Sequence, residues 1–572
     1  MTDHRSTAPV DEQDSFDAIV LGAGAAGMTF ALVAAHEGLR VLLIEKTGMV
    51  GGTTARSAGT AWIPGNFSMS DDEARADVDA ARVYLDTLVG VRSPASLREQ
   101  FLRHGAAMLR YLHAHSAVRF QPCPKHTDYY PELPGAKTGG RPVEAVVYDG
   151  RELGRWFARL RPTLPEFNVF GGMMVSKADI DRLLNLRASR DNFVHALRLI
   201  ARYAADRIRG YPRGTRLTMG NALAARLLKS VVDAGVALQF NCTVDSIDRD
   251  ESGGFRIGLT VGDRSNRACR ARSVVFAGGG FSGNEAWRAQ YMPQPTPHFT
   301  AASAANDAST MELARALGAV LAPPREHNAW WFPSSIVRRD DGSTAVFPHI
   351  VMDRAKPGLI AVDRRGLRFV NEGVNYHEFS CAAYANGAVP CWLVCDANFI
   401  RRYGLGAVRP GIRSLRSWVR RGYLQRGATL DELALDISVD AAGLQESVAR
   451  MNGFAASGVD ADFGKGSDGV SRLNGDPAHA PNPCLGAIEK PPFYAVEAAP
   501  ADLGTSLGLV TNEHAQLLDA GRAAIDGLYA CGNDMNSIMG GQYPAPGVTL
   551  GPAMTFAWLA ALHAAGKSPP IS

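Results

Sequence analysis

Apolar residues first gather in a short unbroken run, Ala18-Ile-Val-Leu21, which stops at Gly22-Ala-Gly24-Ala25-Ala26-Gly27. Helical spacing then takes over through Ala34-Ala35-His36, and a second unbroken run, Val41-Leu-Leu-Ile, ends on Glu45. Short apolar runs bounded by glycine read as strands covered on both faces, so this stretch predicts strand, helix and parallel strand. The same texture returns over 216–296. Gly220–Val232 has helical spacing, Val236–Val244 reads as a strand, Arg249–Phe255 as a hairpin, and Ser273–Ala277 as a strand running into Gly278-Gly279-Gly280. Near the end, Gly527–Asn533 predicts a short strand and turn, and Pro552–His563 an apolar helix. Together these pieces make one doubly wound sheet. The fold expected is α/β: a discontinuous Rossmann-like domain over 1–296 and 498–572, with a helical excursion at about 150–215. Residues 297–497 differ, with mixed strands and Trp330, Trp331 and Trp392. They predict an inserted α+β domain that caps the substrate.

The glycines of the first turn point to the ligand. Gly22 allows a tight turn, Gly24 lets backbone approach a pyrophosphate, and Gly27 lets the helix lie on the strand; Ala25 and Ala26 open the helix whose N-terminus meets phosphate charge. Glu45 stands 18 residues after Gly27, where a carboxylate accepts from a ribose hydroxyl. Beyond Lys46, the stretch Gly51-Gly52-Thr53-Thr54-Ala55-Arg56-Ser57-Ala58-Gly59 offers small side chains and hydroxyls to a flat ligand extending past its pyrophosphate. Gly532 and Asn533 close such a site from the C-terminal turn. A nicotinamide enzyme needs neither of these last segments, so the cofactor expected is FAD, held without a covalent bond. Val244, Ala277, Gly278, Gly279, Asp307, Thr549 and Leu550 complete the candidate cofactor contacts.

Composition excludes more than it selects. At 572 residues and 46% hydrophobic, the chain can fill more than one core. A net charge of +3 is too small for this size to suggest nucleic acid, and no zinc-finger or helix-turn-helix spacing occurs. The eight cysteines show no CxxC pairing, which fits thiols in a reducing compartment and gives no reason to expect a metal. Residues 1–15 are polar and lack an apolar signal core, and no uncharged run is long enough to span a bilayer. The location expected is cytoplasmic.

Nearly end to end, the chain resembles the flavoproteins of the fumarate reductase/succinate dehydrogenase superfamily. Three segments are specifically similar to the 3-ketosteroid Δ1-dehydrogenases. They are Asp128-Tyr129-Tyr130-Pro131-Glu132 before Gly139-Gly140-Arg141, then Arg368-Phe-Val-Asn371-Glu372-Gly-Val-Asn-Tyr376, and Tyr543-Pro544-Ala545-Pro546-Gly547-Val-Thr-Leu-Gly551. Dicarboxylate reductases of the superfamily clamp two carboxylates with His and Arg, and no corresponding motif stands in the substrate region here. Phenols recur there instead, which favours a large, mostly apolar ketone.

The resemblance implies 1,2-desaturation of a 3-ketosteroid, a proton leaving C2 for a base and a hydride leaving C1 for flavin N5. By the same likeness, the Tyr543 hydroxyl and the Gly547 N–H hold the ketone oxygen as enolate charge grows. Tyr376 is then the base, and Tyr129 donates to it and relays the proton outward. A phenol ordinarily ionises at a pH of about 10, so Tyr376 needs help near neutrality. Desaturation of the 4,5-bond or of another cyclic ketone would use the same parts. A catalytically silent flavoprotein serving as a binding module would need none of the phenols.

Three departures from the family pattern bear on the substrate. Ala545 stands where glycine is usual, which implies a stiffer loop. Asn306-Asp307-Ala308 replaces Gly-Asp-Gly near the flavin, leaving Asp307 to bond there. Arg56 occupies a position that is usually aliphatic or aromatic, where a cation either meets a polar group on an atypical substrate or reaches solvent. One further segment is unusual. Over 181–216, nine arginines (182, 187, 190, 198, 202, 207, 209, 213 and 216) oppose only Asp181, Asp191 and Asp206, with Leu, Phe and Ile at helical spacing. Such a stretch either lies in a membrane interface, within reach of an apolar substrate and a quinone acceptor, or packs on protein with its arginines outward.

Overall fold

The computed structural model describes residues 14–570 except 166–167, 186–188, 252, 263, 340, 351–352 and 413. Arg187 of the basic stretch lies outside the described residues, as does the side chain of Asp181. The first apolar run is strand β1 (Ser15–Leu21), followed by helix α1 (Ala25–His36) and strand β2 (Val41–Glu45). β1 and β2 pair in parallel, Ala18 opposite Val41 and Leu21 opposite Ile44. Strand Arg264–Phe276 pairs in parallel with the other edge of β1, Ala237–Phe240 with β2, and Ala524–Ala530 with Arg264–Phe276. An antiparallel meander of Phe255–Val261 and Cys242–Arg249, together with Gln516–Leu518, completes an eight-stranded sheet. Helix Leu550–Ala564 and helix Met219–Asp233 both pack beside α1. Ile19, Val20, Leu42 and Leu43 are therefore sealed from water, each contributing about 1.5–3 kcal/mol of burial energy.

The stretch Val236–Val244 is two strands rather than one. Asn241, at φ +48°, separates Ala237–Phe240 from Cys242–Arg249. A left-handed residue cannot continue the pleat, and asparagine tolerates that conformation better than most. The break lets the first half pair with β2 while the second turns to the hairpin.

A six-stranded antiparallel sheet occupies much of the 297–497 region. Its order is Thr344–Pro348, Ala329–Arg338, Phe493–Thr505, Cys391–Asp396 and Leu359–Val362, with Gln425–Gly427 also paired to Phe493–Thr505. The 13-residue strand Phe493–Thr505 runs through this sheet to a point where Thr505 Oγ1 stands 1.9 Å from the Cβ position of Gly280. The basic stretch forms two helices, Lys177–Leu184 and Arg190–Ile208, packed on each other.

Candidate active site and cofactor cleft

One cavity of about 1720 Å³ is lined by every candidate cofactor and catalytic residue except Gly27, Gly51 and Ala55. Gly27 works beneath it. A Cβ there would stand 1.9 Å from Gly22 O and 3.2 Å from Val20 Cγ1, so only glycine lets α1 lie on β1. Gly22, at φ +110°, leaves no more room, with Ala277 O 2.3 Å from its Cβ position. Gly24 is the contrast. It caps α1 without a side-chain hydrogen bond, and nothing in the protein lies within 4 Å of where its Cβ would be. A helix start that no side chain crowds at Gly24 fits a pyrophosphate.

The rest of the cleft is held open by its own hydrogen bonds. Glu45 accepts from Ala23 N–H at 3.1 Å with one oxygen and from Thr47 N–H and Oγ1–H at 3.0 and 2.7 Å with the other. Thr54 Oγ1 accepts from Ala25 N–H at 3.1 Å, and Thr53 Oγ1 from Ser303 N–H at 2.9 Å. Lys46 Nζ lies 2.5 Å from Asp307, which also accepts from Ser309. Partial burial works to raise the Asp307 pKa, but the bonds from Lys46 and Ser309 prevail and hold it below the ordinary carboxylate value. Gly59, at φ +67°, presses on the start of helix Met219–Asp233, its Cβ position 2.5 Å from Gly220 N. Gly532, Asn533, Thr549 and Leu550 close the cleft from the C-terminal side, and Val244, Ala277, Gly278 and Gly279 line it.

Three phenols meet on the same wall. Tyr376 opens helix Tyr376–Ala385, whose cap Asn375 accepts from the N–H groups of His377 and Glu378. Its ring centroid lies 5.5 Å from Tyr129 and 5.3 Å from Tyr543, and Tyr129 stacks on Tyr543 at 6.0 Å. The hydroxyls of Tyr129 and Tyr543 both interact with that of Tyr376. Burial pushes all three phenols above the usual value, Tyr543 to about 12 and the other two further. Tyr129 is delivered by a rigid loop: its N–H donates to Pro544 O at 2.8 Å. The preceding Asp128 accepts from Trp62 Nε1 at 2.9 Å, Lys137 N–H at 3.0 Å and Arg141 Nη1 at 2.5 Å. Tyr130 turns away and donates to Glu378. Gly547, at φ +94°, lies so close to strand Thr60–Trp62 that its Cβ position is 2.7 Å from Thr60 O. Its carbonyl accepts from Trp62 N–H at 3.0 Å, while its own N–H has no protein acceptor among the described residues. The arrangement offers two donors and a phenol pair to one oxygen-bearing ligand.

The family description of an FAD binding domain matches residues 17–550. A 3-oxosteroid 1-dehydrogenase of Mycolicibacterium smegmatis is 36% identical over 568 residues, covering 97% of this chain and 98% of that protein. A solved 3-ketosteroid Δ1-dehydrogenase of Sterolibacterium denitrificans, in complex with 1,4-androstadiene-3,17-dione, aligns with a TM-score of 0.88 at 34% identity. That alignment covers 97% of this chain and all of the other, 100%. The chain belongs to the 3-ketosteroid Δ1-dehydrogenase family. It is an FAD-dependent oxidoreductase acting on CH–CH bonds. Another relative, a 4-oxocyclohex-2-ene-1-carboxylate 5-dehydrogenase of Sinomonas cyclohexanicum, is also 36% identical, covering 95% of this chain and 92% of that protein.

The departures from the Δ1-dehydrogenase pattern have structural accounts. Ala545 is buried and is not among the residues with positive φ, so it needs none of glycine's freedom. Ala308 does occupy the left-handed region, at φ +68°, a strain of about 1–2 kcal/mol that glycine would not carry. Asn306 donates to Gly279 O at 3.0 Å and Thr53 Oγ1 at 3.1 Å, tying two cofactor segments together. Arg56 is half-buried and lines the cavity, with Nη1 3.4 Å from Ala302 O. Burial and the neighbouring Arg161 both lower its pKa, and no carboxylate pairs with it among the described residues. It is turned toward the cavity.

Sequence reasoning missed other parts of the site. Asp534 is fully buried and accepts from Gly278 N–H, Gly280 N–H and Thr310 Oγ1–H at 2.7, 2.8 and 2.7 Å, shaping the glycine turn. Its only local signal was adjacency to Gly532-Asn533. Phe332, Phe347 and Ile350 form an apolar wall that strand alternation alone could not assign to a ligand.

Proposed function

We propose that the protein introduces a 1,2 double bond into a 3-ketosteroid, with Tyr376 taking the C2 proton while Tyr543 and Gly547 hold the ketone oxygen. The observation behind this reading is the gathering of two buried phenols, the half-buried Tyr129 and, without a protein acceptor among the described residues, the Gly547 N–H on the wall of the cavity that also carries the cofactor candidates. FAD, when bound, supplies the hydride acceptor. The two donors grip the oxygen harder as it gains enolate charge, and losing one donor costs about 100- to 1,000-fold in rate. Tyr129, in contact with Tyr376, passes the proton onward, and the coupled phenols release it as a group rather than singly. The apolar wall of Phe332, Phe347 and Ile350 suits a steroid body. Residues 297–497 act in this reading as the cap over the cofactor domain of 1–296 and 498–572. Anaerobic mixing of the oxidised holoenzyme with a 3-keto-4-ene steroid should bleach the visible flavin absorbance and yield the 1,4-diene. Absence of bleaching, or a product altered at the 4,5-bond, overturns the assignment.

One observation favours a second reading. The cavity-facing Arg56, without a carboxylate partner among the described residues, suits a cyclic ketone bearing an anionic substituent, the kind of substrate named for the Sinomonas relative. Bleaching by a cyclic keto acid faster than by any neutral steroid, lost in Arg56→Leu, would select it.

For the route of entry and the acceptor, we read helix Arg190–Ile208 as a peripheral contact with an anionic membrane, serving an apolar substrate and a quinone. Phe193, Val194, Leu197 and Ile200 are exposed on it, and Ala196 and Ile200 also line the cavity. No helix among the described residues is long and apolar enough to cross a membrane.

A further inference from the structure

Burial opposes ionisation of all three phenols, so a base at Tyr376 requires positive charge nearby. Arg354 is a cation that acts on Tyr129, the partner of Tyr376. Its side chain is sealed from solvent, at 2% exposure for the residue, and lies 4.9 Å over the ring of Phe379. Nε donates to His349 O at 2.6 Å, Nη1 to Glu372 O at 2.8 Å and Val374 O at 3.2 Å, and Nη2 to Ile350 O at 3.3 Å. Glu372 and Val374 lead directly into Tyr376, so the fork anchors the chain that presents the phenol. Every acceptor of the guanidinium is a neutral carbonyl.

The neighbouring carboxylates are already engaged. Asp353 pairs with His349 Nδ1 at 2.5 Å and accepts from Gly406 N–H at 3.0 Å. Glu372 pairs with Arg368 at 2.9 and 3.0 Å and with Lys465 at 3.3 Å. Among the described residues no carboxylate forms a salt bridge with the Arg354 side chain, though Asp353 and Glu372 lie near enough to act on its charge. The groups facing the phenols are few. Tyr129 interacts with Tyr376, Tyr543 and Arg354, and Tyr376 with Tyr129 and Tyr543. The adjacent His377 is held neutral by burial, with His327 adding to the effect, and Glu378 is bonded to Tyr130. Arg354 is thus a cation acting on this pair, through Tyr129.

We propose that Arg354 is a positioning residue that sets Tyr376 against Tyr129 and the fixed positive charge that lets this phenol pair carry a phenolate. The inference rests on the reading of Tyr376 as the base. Its test uses FAD-loaded Arg354→Gln and Arg354→Lys, with two readouts: the pH profile of kcat/KM and the ultraviolet phenolate band, taken as a difference against Tyr376→Phe. Arg354→Gln should move the midpoint of both titrations up by about one unit at unchanged flavin content. The same substitution made on Tyr129→Phe should move it less. A flavin-loaded Arg354→Gln with wild-type midpoints overturns the proposal. If that variant does not fold, Arg354→Lys decides. Turnover lowered about tenfold with the midpoint kept supports a role in charge and placement, since lysine keeps the charge but not the fork; wild-type turnover overturns it. The phenolate band reports ionisation whether or not Tyr376 is the base, so a failure of the base assignment is distinguishable from a failure of Arg354.

Discussion

In the proposed reading Tyr376 and Gly547 serve one ketone in different ways, the first through its phenol and the second through its backbone N–H. Tyr376 and Tyr543 line the cavity and, among the described residues, their hydroxyls meet one another rather than a candidate cofactor segment, so Tyr376→Phe and Tyr543→Phe should leave FAD content intact. Each should lower kcat/KM by about 100-fold or more, and full activity in Tyr376→Phe would remove its proton-abstracting role. His377 shows how the same burial acts on stability. Its pKa falls from 6.5 to about 3, chiefly through burial and then through His327. The unfolded chain binds a proton there at pH values where the folded chain does not, so this contribution is complete above about 6.5. It is lost as pH falls toward 3, at about 1.4 kcal/mol per unit. Unfolding midpoints compared at pH 7 and pH 5 should show His377→Gln losing less stability than wild type. Parallel losses would mean that His377 is not the group responsible.

At the scale of elements, the phenol cluster depends on pieces remote in sequence. The loop carrying Tyr129 is pinned by Asp128 to Trp62 and Arg141, both buried, and by its backbone to Pro544. Tyr376 owes its position to the Asn375 cap and to the carbonyls that Arg354 holds. The spacing of Asp128, Tyr129 and Arg141 was legible because the motif is local, whereas Arg354 and Asp534 carry no sequence pattern that links them to the site. Helix Arg190–Ile208 raises a different question. Its Phe193 and Leu197 are 60% and 56% exposed, an apolar strip flanked by arginines such as Arg190 and Arg198. Flotation with anionic liposomes at low salt, where such attraction is strongest, should carry wild-type protein upward. Phe193→Ser with Leu197→Ser should stay behind. Wild-type protein remaining unbound under those conditions would rule the contact out.

Over the whole molecule, cofactor binding and folding draw on adjacent glycines for opposite reasons, and this makes them separable. A methyl group on Gly24 meets no protein atom, so Gly24→Ala should fold normally and lose FAD affinity, because the space belongs to the ligand. Gly27→Ala should instead lower stability with or without flavin, since its Cβ would stand 1.9 Å from a backbone oxygen. Thermal unfolding with and without added FAD distinguishes them, and equal destabilisation of the flavin-free proteins would refute the division. The sequence by itself determined the sheet's central strands and the cofactor turn, which are written in local periodicity or in a short run whose backbone geometry admits few residue types. The three phenol motifs were legible only through their resemblance to the family. The tertiary structure alone decided that Tyr130 turns to Glu378 while Tyr129 meets Tyr376 and Tyr543, and that Asn241 divides an apolar run into two strands. It also decided that Arg56 turns toward the cavity, and that Arg354 and Asp534 support the site. These are outcomes of burial and of pairing between segments tens to hundreds of residues apart, and no local pattern records which distant carbonyl or carboxylate a side chain will meet.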